Sequence, residues 1–185
     1  MSEYDIDKTR PATQYLTFTL RKEGFAIEIA KVREVLDVTT MTKIPRMPEY
    51  LSGVINLRGN VVPVMDLGQK LGMGSFEQTK NTCVMIVELA LEGDIVEMGV
   101  LTDSVQMVLD LPGDAIEPVP KMGTNLNTEF IKGMGRQSEE KFLIILDIDK
   151  VIAKEGQTAL GDIDSKVLAQ LTEAGSDDNQ DSINV

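Results

Sequence analysis

Apolar and polar residues alternate along Gln14-Tyr15-Leu16-Thr17-Phe18-Thr19-Leu20, the period of a strand buried on one face. Arg21-Lys22-Glu23-Gly24 reads as a turn, and Phe25-Ala26-Ile27-Glu28-Ile29 returns as a second strand. Val32, Val35 and Leu36 then recur at helical spacing. That predicts a short helix over Ala30–Leu36, with Lys31, Arg33 and Glu34 on its polar face. Pro45 and Pro48 mark Thr39–Pro48 as a loop. Next come two β-branched runs around Arg58-Gly59-Asn60. Gly and Asn tolerate positive φ, so the stretch from Gly53 to Leu67 predicts a tight β-hairpin. Pro63 cannot donate to a ladder, which predicts an edge strand or a bulge for its strand.

Leu67–Gly74 holds three glycines and reads as a connector, placing a boundary near residues 68–81. Strands follow at Cys83–Leu91, Ile95–Leu101 and Val105–Val108, with Ala115–Pro120 extended. Phe130–Gly135 and Lys141–Leu146 form a hairpin around Gln137-Ser138-Glu139-Glu140, and Asp147–Ile152 reads as a short helix. Many short strands at even spacing imply barrels or a sandwich.

Composition sharpens this picture. The 185 residues are 42% hydrophobic but only 4% aromatic, with no Trp and 10 Met. The core must therefore be built from Val, Ile, Leu and Met. The net charge of −12 argues against nucleic acid and against anionic membrane surfaces. Seven acids against two bases place −5 of it between Lys154 and Val185. That stretch reads as a mobile, solvating tail, with a regulatory role as the alternative; Ser165–Ala174 could form a helix with Val167, Leu168 and Leu171 on one side. Residues 1–13 read as a loose arm without the apolar run of a signal peptide. No apolar stretch nears the ~20 residues needed to span a bilayer, and a single cysteine suits a reducing compartment, so a cytoplasmic location is expected. Cys83 lies in an apolar run and reads as a small buried hydrophobe.

The chain has no histidine, which removes the commonest general base and metal ligand. No zinc ligand set, glycine-rich phosphate loop or Ser/His or Cys/His pair can be assembled. Carboxylates are abundant, but Asp103 with Asp110, and Asp147 with Asp149, are spaced like strand-end and helix-start acids. A binding module is the expectation, not an enzyme. Arg58 has two readings on hairpin geometry alone: an ion pair with a nearby carboxylate, or an exposed fork of donors for a protein partner.

Ile44-Pro45-Arg46-Met47-Pro48, Gly53-Val54-Ile55-Asn56-Leu57-Arg58-Gly59 and Val62-Pro63-Val64-Met65-Asp66-Leu67 together resemble the signature of the CheW family, coupling proteins of bacterial chemotaxis. Lys31–Leu36 resembles the short helix before that signature, and Thr128–Gly135 with Phe142–Asp147 resembles the family's last hairpin. The resemblance spans residues 14–153 and implies a mostly β fold: two five-stranded SH3-like barrels side by side, at about 14–75 and 80–150, with short helices and a flexible tail at 154–185. It implies a non-enzymatic adaptor, without cofactor, linking the tip of methyl-accepting chemoreceptors to the regulatory domain of the histidine kinase CheA. Such a protein is cytoplasmic and recruited to membrane-associated receptor arrays. Carried over by motif position, Val32, Glu34, Gly53, Arg58, Val84, Val105 and Gly133 would face the receptor. Met41, Thr42 and Ile44 are the residues expected to touch the kinase. The alternatives are a coupler for another pathway, such as twitching motility or a second array, and a carboxylate-based hydrolase on a small barrel. The chain departs from many relatives in having Gly68 where they carry a charged residue.

Overall fold

A computed structural model describes residues 12–74, 77–91, 93–119 and 128–152. The expected tail and its helix, and all but the end of the N-terminal arm, lie outside the described residues. Eleven strands are formed among those described. They are β1 (Thr13–Leu20), β2 (Glu23–Glu28), β3 (Val32–Asp37), β4 (Leu51–Leu57), β5 (Asn60–Asp66), β6 (Cys83–Leu91), β7 (Asp94–Thr102), β8 (Ser104–Leu111), β9 (Ile116–Glu117), β10 (Ile131–Arg136) and β11 (Phe142–Leu146). One sheet runs β8-β1-β2-β11-β10-β9 and the other β3-β6-β7-β5-β4. The mostly β, two-sheet architecture agrees with the alternation in the sequence. Neither sheet stays on one side of residues 68–81. The first two strands join the last four, and β6 and β7 join β3–β5. Two parallel pairings make the exchange: β2 with β11, and β5 with β7.

Three apolar clusters fill this arrangement. The largest lies between the sheets, where Leu16, Phe18, Leu20, Phe25 and Ile27 meet Met65, Met85, Val87, Met98 and Val100. Alternate residues of the same strands turn the other way. Val84 and Ile86 of β6 join Ile55, Val62, Val64 and Leu101, while Tyr15 and Ala26 join Leu111, Leu143 and Ile145. Burial on both faces explains why Val84–Val87 of β6 reads as an unbroken apolar run rather than an alternating one. Each such side chain contributes roughly 1.5–3 kcal/mol when fully buried.

Four local expectations are corrected. Ala30–Leu36 is not a helix: Ile29–Lys31 makes one 3-10 turn and Val32–Asp37 is a strand paired with β6. Val35, taken as part of an apolar helix face, points outward, and Glu34 shares the inward side with Val32 and Leu36. Pro63 is not on an edge, since β5 lies between β7 and β4, and the irregularity in its hairpin falls on the facing strand, between Leu51 and Gly53. Pro63 is tolerated because Val54, opposite it, gives its N–H and C=O to Thr42, and pairing with β7 starts one residue later at Val64. Leu67–Lys70 forms a short helix capped by Asp66, whose carboxylate accepts the Gln69 N–H, where only a connector was expected. Cys83 is half-buried rather than buried, its thiol donating to the Asn81 carbonyl at 3.2 Å.

The turn between β1 and β2 is two residues long, Arg21-Lys22, both at positive φ (49° and 72°). Gly24, expected in that turn, sits inside β2 against Leu143. Non-glycine residues hold this conformation only when their surroundings enforce it. Here the Arg21 guanidinium donates to both oxygens of Asp66 at 3.1 Å and to Asp103 at 3.3 Å, and its backbone N–H also reaches Asp103. The guanidinium lies over Gly68, where an added Cβ would stand 2.7 Å from it. A turn of the six-stranded sheet is thereby fastened to the last residue of β5 in the other.

Candidate functional site

The hairpin between β4 and β5 turns at Arg58 (φ 52°) and Gly59 (φ 87°), the left-handed pair that matches the twist of the strands. Asn56 accepts the Gly59 N–H at 2.9 Å and fixes the turn. Arg58 stands out into solvent with its side chain 68% exposed, and its Nη2 donates to Glu34 Oε2 at 2.9 Å. Both readings of Arg58 therefore hold at once: it is ion-paired and it is open. Glu34 is only 21% exposed, and its second oxygen, Oε1, is buried without a hydrogen-bond partner among the described residues. An exposed ion pair contributes under about 1 kcal/mol, while an unsatisfied buried oxygen costs about 1–3 kcal/mol. The pair is a poor device for stability. It presents a charged, directional contact at the surface instead.

The same pair crosses from one end of the five-stranded sheet to the other. β3 and β4 are its outer strands and do not pair with each other. The chain after β3 reaches β4 through Thr42, which exchanges two backbone hydrogen bonds of 2.9 Å with Val54. Gly53 makes this approach possible. It has φ 153°, and a Cβ there would lie 2.5 Å from the Thr42 carbonyl oxygen. Gly53→Ala is expected to destabilise the protein by about 2 kcal/mol, lowering Tm by about 4–8 °C, with loss of hydrogen-exchange protection at Val54. An unchanged Tm would mean the backbone yields freely here. Beside Gly53, the residues Ile44, Met47, Leu51, Val54 and Pro63 line a shallow depression with space for little more than a water molecule. Met41 packs against the smaller apolar cluster.

The remaining expected positions are scattered. Val84 is 1% exposed and packs among Ile55, Val62 and Val64, so it supports the sheet from within and offers no surface, contrary to the expected apolar groove. Val32 and Val105 are partly buried against the main core. Gly133 lies buried on β10, where a Cβ would meet Ile116 Cγ2 at 2.7 Å and the Glu117 carbonyl at 2.9 Å. Close backbone packing accounts for it. Glu34 and Arg58 are thus in contact, and Gly53 is joined to Thr42 and Ile44; Val105 and Gly133 belong to the other sheet.

Three of the four acids weighed as hydrolase candidates have other employment, and the fourth, Asp110, is exposed on β8. Asp103 holds Arg21, Asp147 caps the helix over 148–152 through the Lys150 N–H, and Asp149 pairs with Lys31 at 2.8 Å. Sequence reasoning missed a second charged group, Glu28 with Lys132 and Tyr15. The hydrogen bond from Lys132 to Glu28 raises the lysine pKa. Burial, with Glu28 adding, raises that of Tyr15. Both groups hold their protons more tightly when folded, so the stability they lend is complete below their unfolded values of about 10–10.5 and is lost as pH rises through the folded ones. The Tm advantage of wild type over Lys132→Gln should therefore persist at pH 8 and shrink as pH rises past the lysine's unfolded value of about 10.5. A constant difference across that range would refute the coupling.

With this geometry in place, comparison with known proteins adds a family. Residues 14–156 match the family described as CheW-like domain. The chain is 34% identical over 142 residues to a chemotaxis protein CheW of Klebsiella aerogenes, covering 77% of this chain and 82% of that one. Its identity with the chemotaxis protein CheW of Bacillus subtilis is 30% over 148 residues, covering 80% and 92%. The crystal structure of the scaffolding protein TtCheW from Thermoanaerobacter tengcongensis matches with a TM-score of 0.67 at 32% identity, covering 76% of this chain and 88% of that one.

Proposed function

This chain belongs to the CheW-like domain family, and on that premise we propose that it acts as a non-enzymatic scaffold that couples chemoreceptors to the kinase CheA. The observation that carries the reading furthest is the Arg58–Glu34 pair, a directional charged contact whose arginine is open to solvent. A receptor tip built as a helical hairpin would lie against this pair, with Val32 beside it and Gly53 setting the backbone beneath. The order of action is geometric. The scaffold holds receptor and kinase in fixed register, and a shift in one contact biases the other.

The finer fold reading, two SH3-like barrels, draws support from the way Thr42 and Arg58 reach across between β3 and β4. Among the described residues no helix is long and apolar enough to cross a membrane. A cytoplasmic position at receptor arrays forms part of the proposal. The kinase would meet the loop of Met41, Thr42 and Ile44. Calorimetric titration of the full chain with the regulatory domain of a CheA from the same organism tests the reading. Saturable one-to-one binding is expected. Absence of binding to that domain and to the receptor tip would overturn it.

A further inference from the structure

Each sheet ends in two outer strands, and three of the four offer little open edge. β9 is two residues long, and β3 and β4 are drawn together by the Thr42–Val54 bridge and the Arg58–Glu34 pair. β8 is different. It runs for eight residues and, among the described residues, pairs with β1 alone. Natural sheets guard open edges with lysine, proline or a bulge. Ser104–Leu111 has neither lysine nor proline, and Met107 and Val108 stand out of it, 50% and 48% exposed.

The one bulge of β8 is taken up on its inner side. Gln106 and Met107 lie against Thr17, whose Oγ1 accepts the Met107 N–H at 3.1 Å and donates to the Met107 carbonyl at 3.0 Å. Beyond the bulge, Val108–Leu111 run in unbroken register with Thr13–Leu16. With the Met107 groups turned inward, alternation turns those of Val108 and Asp110 to the open side. The result is a rigid acceptor for one more strand.

The residues of β8 point to the occupant. Laid antiparallel to itself about Val108, the run Gln106-Met107-Val108-Leu109-Asp110 is self-complementary. Val108 meets Val108 of the second copy, Met107 meets Leu109, and the Gln106 amide meets the Asp110 carboxylate. Other two-fold registers fit worse. Centring on Asp110 opposes like charges, and centring between Met107 and Val108 sets Gln106 on Leu109. Val108 also turns its backbone groups outward, so the two copies exchange a symmetric pair of hydrogen bonds there.

We propose that two copies of this chain associate by antiparallel pairing of β8 with β8 about Val108, an isologous contact that joins their six-stranded sheets into one. The pairing does not depend on the coupling reading. Its interface is narrow, so the dimer is weak and forms at high local concentration. Each chain carries a net charge of −12, so the copies repel at long range and salt strengthens the contact by screening.

The test is sedimentation of the full chain between about 10 μM and 1 mM, with amide hydrogen exchange on the same samples. The average mass should rise with concentration, and rise further between about 0.1 and 0.5 M salt. Exchange at the Val108 N–H should slow about threefold or more across that range. The Met107 N–H, already held by Thr17, should keep its rate. V108K should remain a monomer throughout. It makes the chain less negative, so its loss of association does not come from general repulsion. Q106D opposes Asp110 of the second copy with a like charge, twice in each dimer, and should weaken association about 2- to 30-fold. A monomer at every concentration overturns the proposal, as does association that salt weakens. A dimer that V108K leaves intact overturns it too, because the contact then lies elsewhere. So does Val108 protection that is independent of concentration, because another part of the same chain then covers the edge.

Discussion

Arg58→Glu is expected to abolish measurable binding to a receptor tip while changing Tm by no more than about 2 °C. The argument is local. Arg58 is mostly solvated, so removing its side chain opens no cavity, and its ion pair with Glu34 contributes little to folding. Glutamate at this turn meets Glu34 as a like charge and presents a repelling surface. Loss of a partly desolvated interface charge costs about 2–4 kcal/mol, or roughly 30- to 1,000-fold in affinity. The charge-swapped pair E34R/R58E sharpens the test. It restores the internal bridge but reverses the contact offered to a partner. Binding should stay lost. Recovery in the swap would show that the pair only braces β3 against the hairpin, and a large fall in Tm for Arg58→Glu would contradict an exposed recognition residue.

The largest loss of stability is expected from Arg21→Met. The guanidinium is 16% exposed and holds Asp66, at 4%, together with Asp103, at 27%. Without it two carboxylates face each other in a poorly solvated space. Removing one partner from a buried charge cluster costs about 3–5 kcal/mol; the partly open Asp103 places this case near 3 kcal/mol, a fall of about 6–12 °C in Tm. Arg21 is also a positive-φ residue whose conformation these bonds enforce, so the β1–β2 turn should loosen with it. Gly68→Ala offers an independent check, because a methyl there displaces the same guanidinium. The two changes should be strongly non-additive when combined. Additive effects would argue against a shared cause.

What could be read from the chain, and what could not, follows physical lines. β1 and the Arg58 hairpin were legible because alternation and turn residues are local signals. β3 was misread because its inward side carries a glutamate. Glu34 breaks the period of a strand, and Val32, Val35 and Leu36 then fit a helix. The polar residue stands there to meet Arg58, so the local rule fails where the candidate site lies. The partition of strands between sheets had no local trace. It rests on the parallel pairings of β2 with β11 and β5 with β7, whose partners carry no mark of each other. Val84 illustrates a further gap. A valine in a strand shows that one face is covered, and only the assembled sheets reveal that both are.

The pairing of β2 with β11 also sets a timetable for synthesis. Ala26 has to wait for Ile145, more than a hundred residues downstream. At ribosomal rates of roughly 5–20 residues per second, that is about 5–20 s during which the first hairpin has no neighbour on its β11 side. Its apolar side, with Phe18, Leu20, Phe25 and Ile27, is uncovered for much of that interval. The five-stranded sheet is encoded without interruption between residues 32 and 102 and can close first. Nascent chains of this protein should therefore depend on chaperones early, and should shed them only when the last strand leaves the exit tunnel.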